Sequence, residues 1–344
     1  MSSSAIAKHI VHGEKRKLSL RVGSDPLGEV KIPVWIAAGR EQGPIVTVVA
    51  GVHGCEYSGI VAASRTFASL DPGTLKGTVT IVPVANPSAF RQRSRHLSPI
   101  DQLNLDRVWP GAKHGSGTER LASVLFEQLV LRSDYVIDLH AGDLFELQTC
   151  HTKCFITGKK TVDTVSRGLA MVFTDRFFHP MCSERGATAG SLFMEAAKAG
   201  IPSTMTEAGS EGRIEKEAVE FHTSGLRRVL RWLGMVPGGY EAALEYEEVK
   251  DEVELRAERG GLFIPAVSVG DRVAEGVQVG AIRSVGGRAL ERPLSPIDGM
   301  VRLLFTTGVV NSGDPLMWLW QTEVVQVGHE VAATLFPASK RHEC

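Results

Sequence analysis

Apolar positions along this chain fall into short bursts separated by glycine, proline and polar clusters. Residues 29–37 alternate β-branched with other residues at a period of two, which predicts a strand. Residues 44–51 form a continuous run rich in Val and Ile, bounded by Gly and Pro, which predicts a strand buried on both faces. Over 58–70 the apolar spacing becomes helical. The rhythm then repeats: a strand over 77–84, an amphipathic helix over 119–131, a buried strand over 135–139, a helix over 188–199, a short strand over 203–206 and a long helix over 215–233. Strands alternating with helices predict an α/β fold on a largely parallel or mixed sheet.

The pattern changes after Pro237-Gly238-Gly239, where short β-like segments punctuated by glycine replace long helices. Segments 261–282 and 295–319 resemble each other, each with a Gly-Asp pair (Gly270-Asp271 and Gly313-Asp314) between apolar runs. They resemble the barrel-sandwich repeat of biotinyl and lipoyl domains. A carrier role needs a Lys in the hairpin turn, and the turn here reads Ile297-Asp298-Gly299-Met300. The expectation is a catalytic α/β domain over 1–237 and a β-rich structural domain over 238–344 that shapes the substrate entrance.

Composition excludes several classes. A hydrophobic fraction of 43% over 344 residues suffices for a substantial core. Lys plus Arg is 38 against 39 Asp plus Glu, so no basic excess points to nucleic acid and no acidic tail to a basic partner. The start of the chain is polar and no apolar run reaches membrane-spanning length, so a cytoplasmic protein with no membrane partner is expected. Five cysteines without secretory features argue for free thiols. Cys150-His151 with Cys154 lacks a second pair at finger spacing, so two thiols near a strand or loop are expected there rather than structural zinc.

Chemistry-bearing residues cluster after the apolar strands. His53 and Glu56 follow the 44–51 run directly, His140 follows the 135–139 run, and Glu207 ends the 203–206 run. Ligand sites in open α/β sheets lie beyond the carboxyl ends of strands. His, Glu and His make a three-ligand zinc set with one position left for water. A carboxylate such as Glu207 can take a proton from that water and pass it to a leaving amine. Each residue alone also fits a structural role; their joint placement carries the reading. The segment 86–111, with Arg91, Arg93, Arg95 and Arg107, suits recognition of a carboxylate and polarisation of a carbonyl.

Taken in order, "HGCE", "NPSAF", "SRHLSPIDQLNLDRVWPG", "DLHAG" and "GIPSTMTEAG" resemble the motifs of the succinylglutamate desuccinylase and aspartoacylase family, relatives of the zinc carboxypeptidases. The resemblance spans roughly residues 30–320. It implies a carboxypeptidase-like α/β domain with a β-rich C-terminal domain, and one zinc per chain on His53, Glu56 and His140. It further implies Glu207 as general base and acid, Arg95 polarising the scissile carbonyl and Arg107 holding a substrate carboxylate. The expected reaction is hydrolysis of the amide of a small N-acylated amino acid or amine, with the oligomeric state, homo-oligomer included, left open. The chain departs from the family in two respects. Asp106 precedes Arg107 where Asn is usual, and Asn104 stands where the family often has Asp. Phe193 occupies a position that often carries Arg after "SL". Both argue for a neutral or cationic N-acyl amino acid, or an acetylated diamine, over a doubly acidic substrate.

Rival readings share parts of this pattern. A carboxypeptidase-type peptidase would use the same ligands on short peptides. "AGSEG" nearly matches a nucleophile elbow, with Ser210 as nucleophile and His222 or His329 downstream, but a serine hydrolase leaves His53, Glu56 and His140 unexplained. His329-Glu330 has Ala333 where a zincin needs its second His.

Overall fold

The computed structural model describes residues 9–174, 176–182, 189–240, 243 and 245–326. The strands are β1 (Glu14–Asp25), β2 (Gly28–Ala38), β3 (Glu41–Ala50), β4 (Lys76–Val82), β5 (Tyr135–His140), β6 (Glu146–Gln148), β7 (His151–Phe155), β8 (Phe177–Met181) and β9 (Ser203–Glu207). Beyond residue 238 come β10 (Glu245–Arg256), β11 (Gly261–Pro265), β12 (Arg272–Val273), β13 (Gly280–Arg283), β14 (Ala289–Glu291), β15 (Gly299–Phe305), β16 (Val309–Val310) and β17 (Pro315–Gln326). The helices are α1 (Tyr57–Ser69), α2 (Pro87–Gln92), α3 (Gly117–Gln128), α4 (Lys160–Phe173), α5 (Leu192–Lys198) and α6 (Lys216–Trp232).

One mixed sheet runs in the order β1-β2-β4-β3-β5-β9-β7-β8-β10-β17-β15-β12, with β6 against β15. The central strands β4, β3, β5 and β9 are parallel, and β7 is antiparallel to β9. α3 and α5 cover one face around Leu121, Leu125, Leu192 and Ala196. α1, α4 and α6 cover the other around Phe67, Phe173, Leu226 and Val229. Burial on both faces explains the apolar run in β3: Val46 and Val48 face the second core, Val49 the first. The expected α/β architecture with flanking helices and a β-rich C-terminal region is observed.

Several elements were not legible in the hydrophobic pattern. β1, β8 and α4 lie where no element was expected, and β7 resolves the strand-or-loop alternative around Cys150 and Cys154 as a strand. β1 carries Lys15, Lys17 and Arg21 on an exposed edge, so its polar character hid a strand whose alternate residues Leu20 and Val22 reach the core. The helix expected over 188–199 begins at Leu192. The helix expected to reach 131 ends at Gln128 and gives way to a single 3-10 turn at Val130–Arg132. α3 starts with a full capping box between Ser116 and Glu119.

After residue 238 the main sheet continues, because β10 pairs parallel to β8 through Glu247 and Glu248. β17 and β15 follow, and β15 pairs with β6 from the first half of the chain. A second sheet, β14-β13-β11-β16, packs over Phe263, Ile282, Val301 and Leu316. No helix among the described residues is long and apolar enough to cross a membrane.

Candidate active site

Three strand ends meet at one cavity of about 600 Å³. β3 ends at Ala50, and Gly51 turns the chain at φ +64°, where a Cβ would press on the Val84 backbone at 3.0 Å. This turn delivers His53 and Glu56, with Glu56 at the N-cap of α1. β5 delivers His140, whose register neighbour across the parallel ladder is Glu207 at the end of β9. Asp138 lies two residues before His140, hence on the same face of the strand.

His53, Glu56 and His140 are all buried. Glu56 lies between the two imidazoles: Oε1 is 2.6 Å from His53 Nδ1 and Oε2 is 3.1 Å from His140 Nδ1. Burial opposes charge on all three, but their mutual attraction outweighs it. Glu56 is held below the usual carboxylate range by the two imidazoles. His140 is held well above its ordinary value by Asp138 and Glu56, and His53 above its own by Glu56.

One ligand atom from each of these residues lies within 4.8 Å of the others. Glu56 Oε2 is buried without an aligned hydrogen bond, despite its ion-pair contact with His140. Two imidazoles and a carboxylate converging in a buried pocket are a donor set that fits a divalent cation such as zinc. Outer contacts complete the arrangement. Asp138 Oδ1 is 3.2 Å from His140 Nε2, and Asn104 Oδ1 is 3.1 Å from His53 Nε2. Such partners orient ligating histidines.

Glu207 stands beside this cluster, with Gln148 Nε2 donating to its Oε2 at 3.0 Å. Asn104 also accepts from the Asp106 backbone N–H at 2.9 Å. Asp106 is buried, with Oδ1 4.0 Å from His140 Nε2, and its carboxylate and carbonyl both accept from Arg107 Nη1. Arg107 lines the cavity, but this pair takes up its charge. Arg95 donates to Asp143 through Nε at 2.8 Å and lies over the Phe145 ring at 4.8 Å. Its neighbour His96 lines the cavity instead, 2.9 Å from Asp143 Oδ2. Phe193 is fully buried with Phe155, Val162 and Met205.

The serine-nucleophile pattern does not assemble among the described residues. Ser210 Oγ accepts from the Gln148 backbone N–H at 3.1 Å. His222 is committed to Thr206 Oγ1 and the Ala208 carbonyl, at 3.1 and 3.3 Å. His329 lies outside the described residues. Cys154 is buried in β7, its thiol pushed up to about 12 by burial, and Cys150 precedes that strand.

The cavity has a second wall that the sequence reading did not identify. It comprises Gln148, Lys153, Glu252, Glu254, Arg302 and Trp318. Asp138 was visible as an acid two residues before His140 on the same strand. Arg302 was visible as a lone charge inside the apolar run "MVRLLF". For Lys153 no local signal existed, because the spacing of Cys150 and Cys154 leaves a strand and a loop equally open there.

Comparisons with known proteins identify the family. The family model described as the succinylglutamate desuccinylase/aspartoacylase catalytic domain matches residues 42–233. The N-alpha-acetyl-L-2,4-diaminobutyric acid deacetylase of Halomonas elongata is 30% identical over 310 residues, covering 87% of this chain and 88% of that protein. The product-bound structure of the ectoine utilization protein EutE (DoeB) from Ruegeria pomeroyi superposes with a TM-score of 0.81 at 25% identity, over 89% of this chain and 95% of that one. A succinylglutamate desuccinylase/aspartoacylase from Rhodobacter sphaeroides gives 0.81 at 25% identity, over 91% and 98%. The motif order, the strand-end site and these matches place this chain in the succinylglutamate desuccinylase/aspartoacylase family.

Proposed function

We propose that this protein is a zinc-dependent amidohydrolase that removes an acyl group from a small N-acylated amino acid or amine. The observation that carries the reading is the juxtaposition of buried His53, Glu56 and His140 with Glu207, which is the register partner of His140 across β5 and β9. In this reading His53, Glu56 and His140 hold the metal, while Asp138 and Asn104 fix the two imidazoles. When bound, zinc supplies Lewis acidity, which makes water nucleophilic near neutral pH and polarises a carbonyl.

The chain's own residues do the remaining work. Glu207 takes a proton from the attacking water and delivers it to the departing amine nitrogen. Gln148 holds the Glu207 carboxylate in orientation. Arg95 is the candidate to polarise the carbonyl, exchanging its bond to Asp143 for the substrate oxygen. Arg107, with Asp106 and Asn104, forms the substrate-facing part of the same loop.

An N-acetylated diamino acid is the substrate class that best combines these observations. Phe193 removes one cation from the family's usual acidic-substrate subsite, and Asp106 neutralises another. The Halomonas relative, named for N-alpha-acetyl-L-2,4-diaminobutyric acid, supports the same class. The domain division near residue 238 remains part of this proposal, supported by the change in composition and by the family match ending at 233.

The test is metal content by mass spectrometry on wild type and His53→Ala, each purified without added metal, followed by an N-acyl amino acid screen. About one zinc per chain, lost in the variant, together with hydrolysis of an N-acetyl diamino acid, is expected. Full metal loading in His53→Ala would sink the ligand assignment. Faster cleavage of short peptides than of any N-acyl amino acid would favour the peptidase.

A further inference from the structure

Two buried cations line the cavity outside the cluster of His53, Glu56 and His140. Lys153 sits in β7 opposite Met205 of β9, two residues before Glu207. It is only 4% exposed. Its Nζ lies 3.9 Å from Glu207 Oε1, beyond hydrogen-bond reach, and makes no hydrogen bond among the described residues. Burial, then the nearby Arg302 charge, pull this ammonium below its ordinary range.

Arg302 arrives from β15 and is 2% exposed. Its guanidinium stacks on Trp318 and Trp320, at 5.0 and 5.6 Å from the ring centroids. Nη2 lies 3.3 Å from His151 Nε2. With His151 Nδ1 donating to the Thr149 carbonyl at 2.8 Å, Nε2 is left as the acceptor for Arg302. Arg302 Nε is buried without a hydrogen-bond partner, and the facing carboxylate, Glu252 Oε2, is 3.7 Å away. That oxygen already accepts from Trp320 Nε1 at 2.7 Å. Lys153 and Arg302 lie 3.9 and 3.7 Å from a carboxylate, each without a hydrogen bond to it, and a cavity wall that holds two buried cations so loosely satisfied suits an anion.

Resting on the deacylase reading, we propose that Lys153 and Arg302 form the subsite for the α-carboxylate of the leaving amino acid. Position favours this anion. Glu207 is the group that protonates the departing amine, and an α-carboxylate hangs two bonds from that nitrogen. Lys153 is the cation next to Glu207. A planar two-oxygen group matches the free edge of a guanidinium together with an ammonium. The other guanidinium groups lining the cavity are already paired, Arg107 with Asp106 and Arg256 with Glu254.

The experiment compares, on wild type, the best N-acetyl amino acid from the screen with its neutral α-carboxamide. The acid should be preferred by roughly 10- to 100-fold in kcat/KM, chiefly through KM. Lys153→Met should erase most of that preference, with a loss in kcat/KM on the acid several-fold greater than on the carboxamide. Equal losses on both compounds would show that Lys153 serves Glu207 and would overturn the subsite. Should the variant fail to fold, competitive inhibition of wild type by the free product amino acid and by its carboxamide gives the same answer. Stronger inhibition by the acid is expected, and equal inhibition overturns the proposal. Wild-type turnover of both compounds at equal rates overturns the subsite and keeps the deacylase reading. Turnover of neither, nor of any other N-acyl compound, overturns that reading and the subsite with it.

Discussion

The two sides of the cavity follow different construction rules. On the metal side, His53, His140 and Glu207 sit at or just beyond the ends of β3, β5 and β9, strands adjacent in one sheet. On the opposite side, Lys153, Glu252, Arg302 and Trp318 sit within the strands β7, β10, β15 and β17. A residue just past a strand escapes the alternation that packs the core, so a charge there stands out. A residue within a strand must face whichever way pairing dictates, and for β15 that pairing includes β6, far earlier in the chain. In the proposed reading, the strand-end side therefore concentrates reaction chemistry in local motifs, and the far wall distributes recognition over long-range pairing.

The largest test of this division is Glu207→Gln. If Glu207 handles the proton, kcat should fall about 10²- to 10⁴-fold, with KM nearly unchanged and metal content retained. A near wild-type kcat would move the proton transfer elsewhere, and the metal side would lose its claim to the chemistry. Asp138→Asn comes next. The amide keeps the shape but loses the charge 3.2 Å from His140 Nε2. Metal affinity, read by competition with a chelator, should weaken about 10- to 100-fold. Unchanged affinity would remove Asp138 from the support of His140.

These contrasts explain what the sequence disclosed. His53, Glu56, His140 and Glu207 were legible because each follows an apolar burst, and a hydrophobic run that stops at a charge marks a strand end. That they meet was legible from the motif order and from the gathering of ligands beyond strand ends, but the adjacency of β3, β5 and β9 that brings them together was not. Arg95 and Arg107 were legible as cations in a turn-rich loop, and Asp106 as the acid beside Arg107, but the partner of Arg95, Asp143, was not. An ion pair depends on rotamers and on chain reversal that no spacing rule supplies. The far wall was the least legible. Glu252 and Glu254 alternate with apolar residues as on any half-solvated strand, and only the antiparallel register with β17 sets them against Trp320 and Trp318.

A smaller effect concerns what the metal side rests on. His222 of α6 is fully buried and bonds Thr206 and Ala208, the residues on either side of Glu207. Burial pulls its ring to about 4, against about 6.5 when unfolded. Over that interval the unfolded chain binds a proton that the native state excludes. The neutral ring's contribution to stability is present above pH 6.5 and is lost as pH falls toward 4. Urea denaturation of metal-free protein should show about 2 kcal/mol of this loss between pH 7 and pH 5. His222→Gln should shrink the gap between the two pH values by that amount. An unchanged gap would place the titrating group elsewhere.

The smallest expected effect falls on the far wall and examines the contrast most directly. Trp318 Nε1 donates to Glu254 Oε1 at 3.1 Å, while the same ring carries the Arg302 guanidinium. Trp318→Phe deletes the donor and keeps an aromatic face beneath Arg302. Glu254 also holds Arg256, so its carboxylate stays anchored. One hydrogen bond to a part-exposed carboxylate is lost, and KM should rise about threefold with kcat unchanged. Trp318→Ala also removes the platform, and the KM effect should grow because Arg302 is no longer held flat. Recognition alone predicts this ordering, since neither change touches a group that handles protons. If kcat instead fell with KM constant in Trp318→Phe, the wall would be acting on the transition state, and the division between a reacting side and a recognising side would fail.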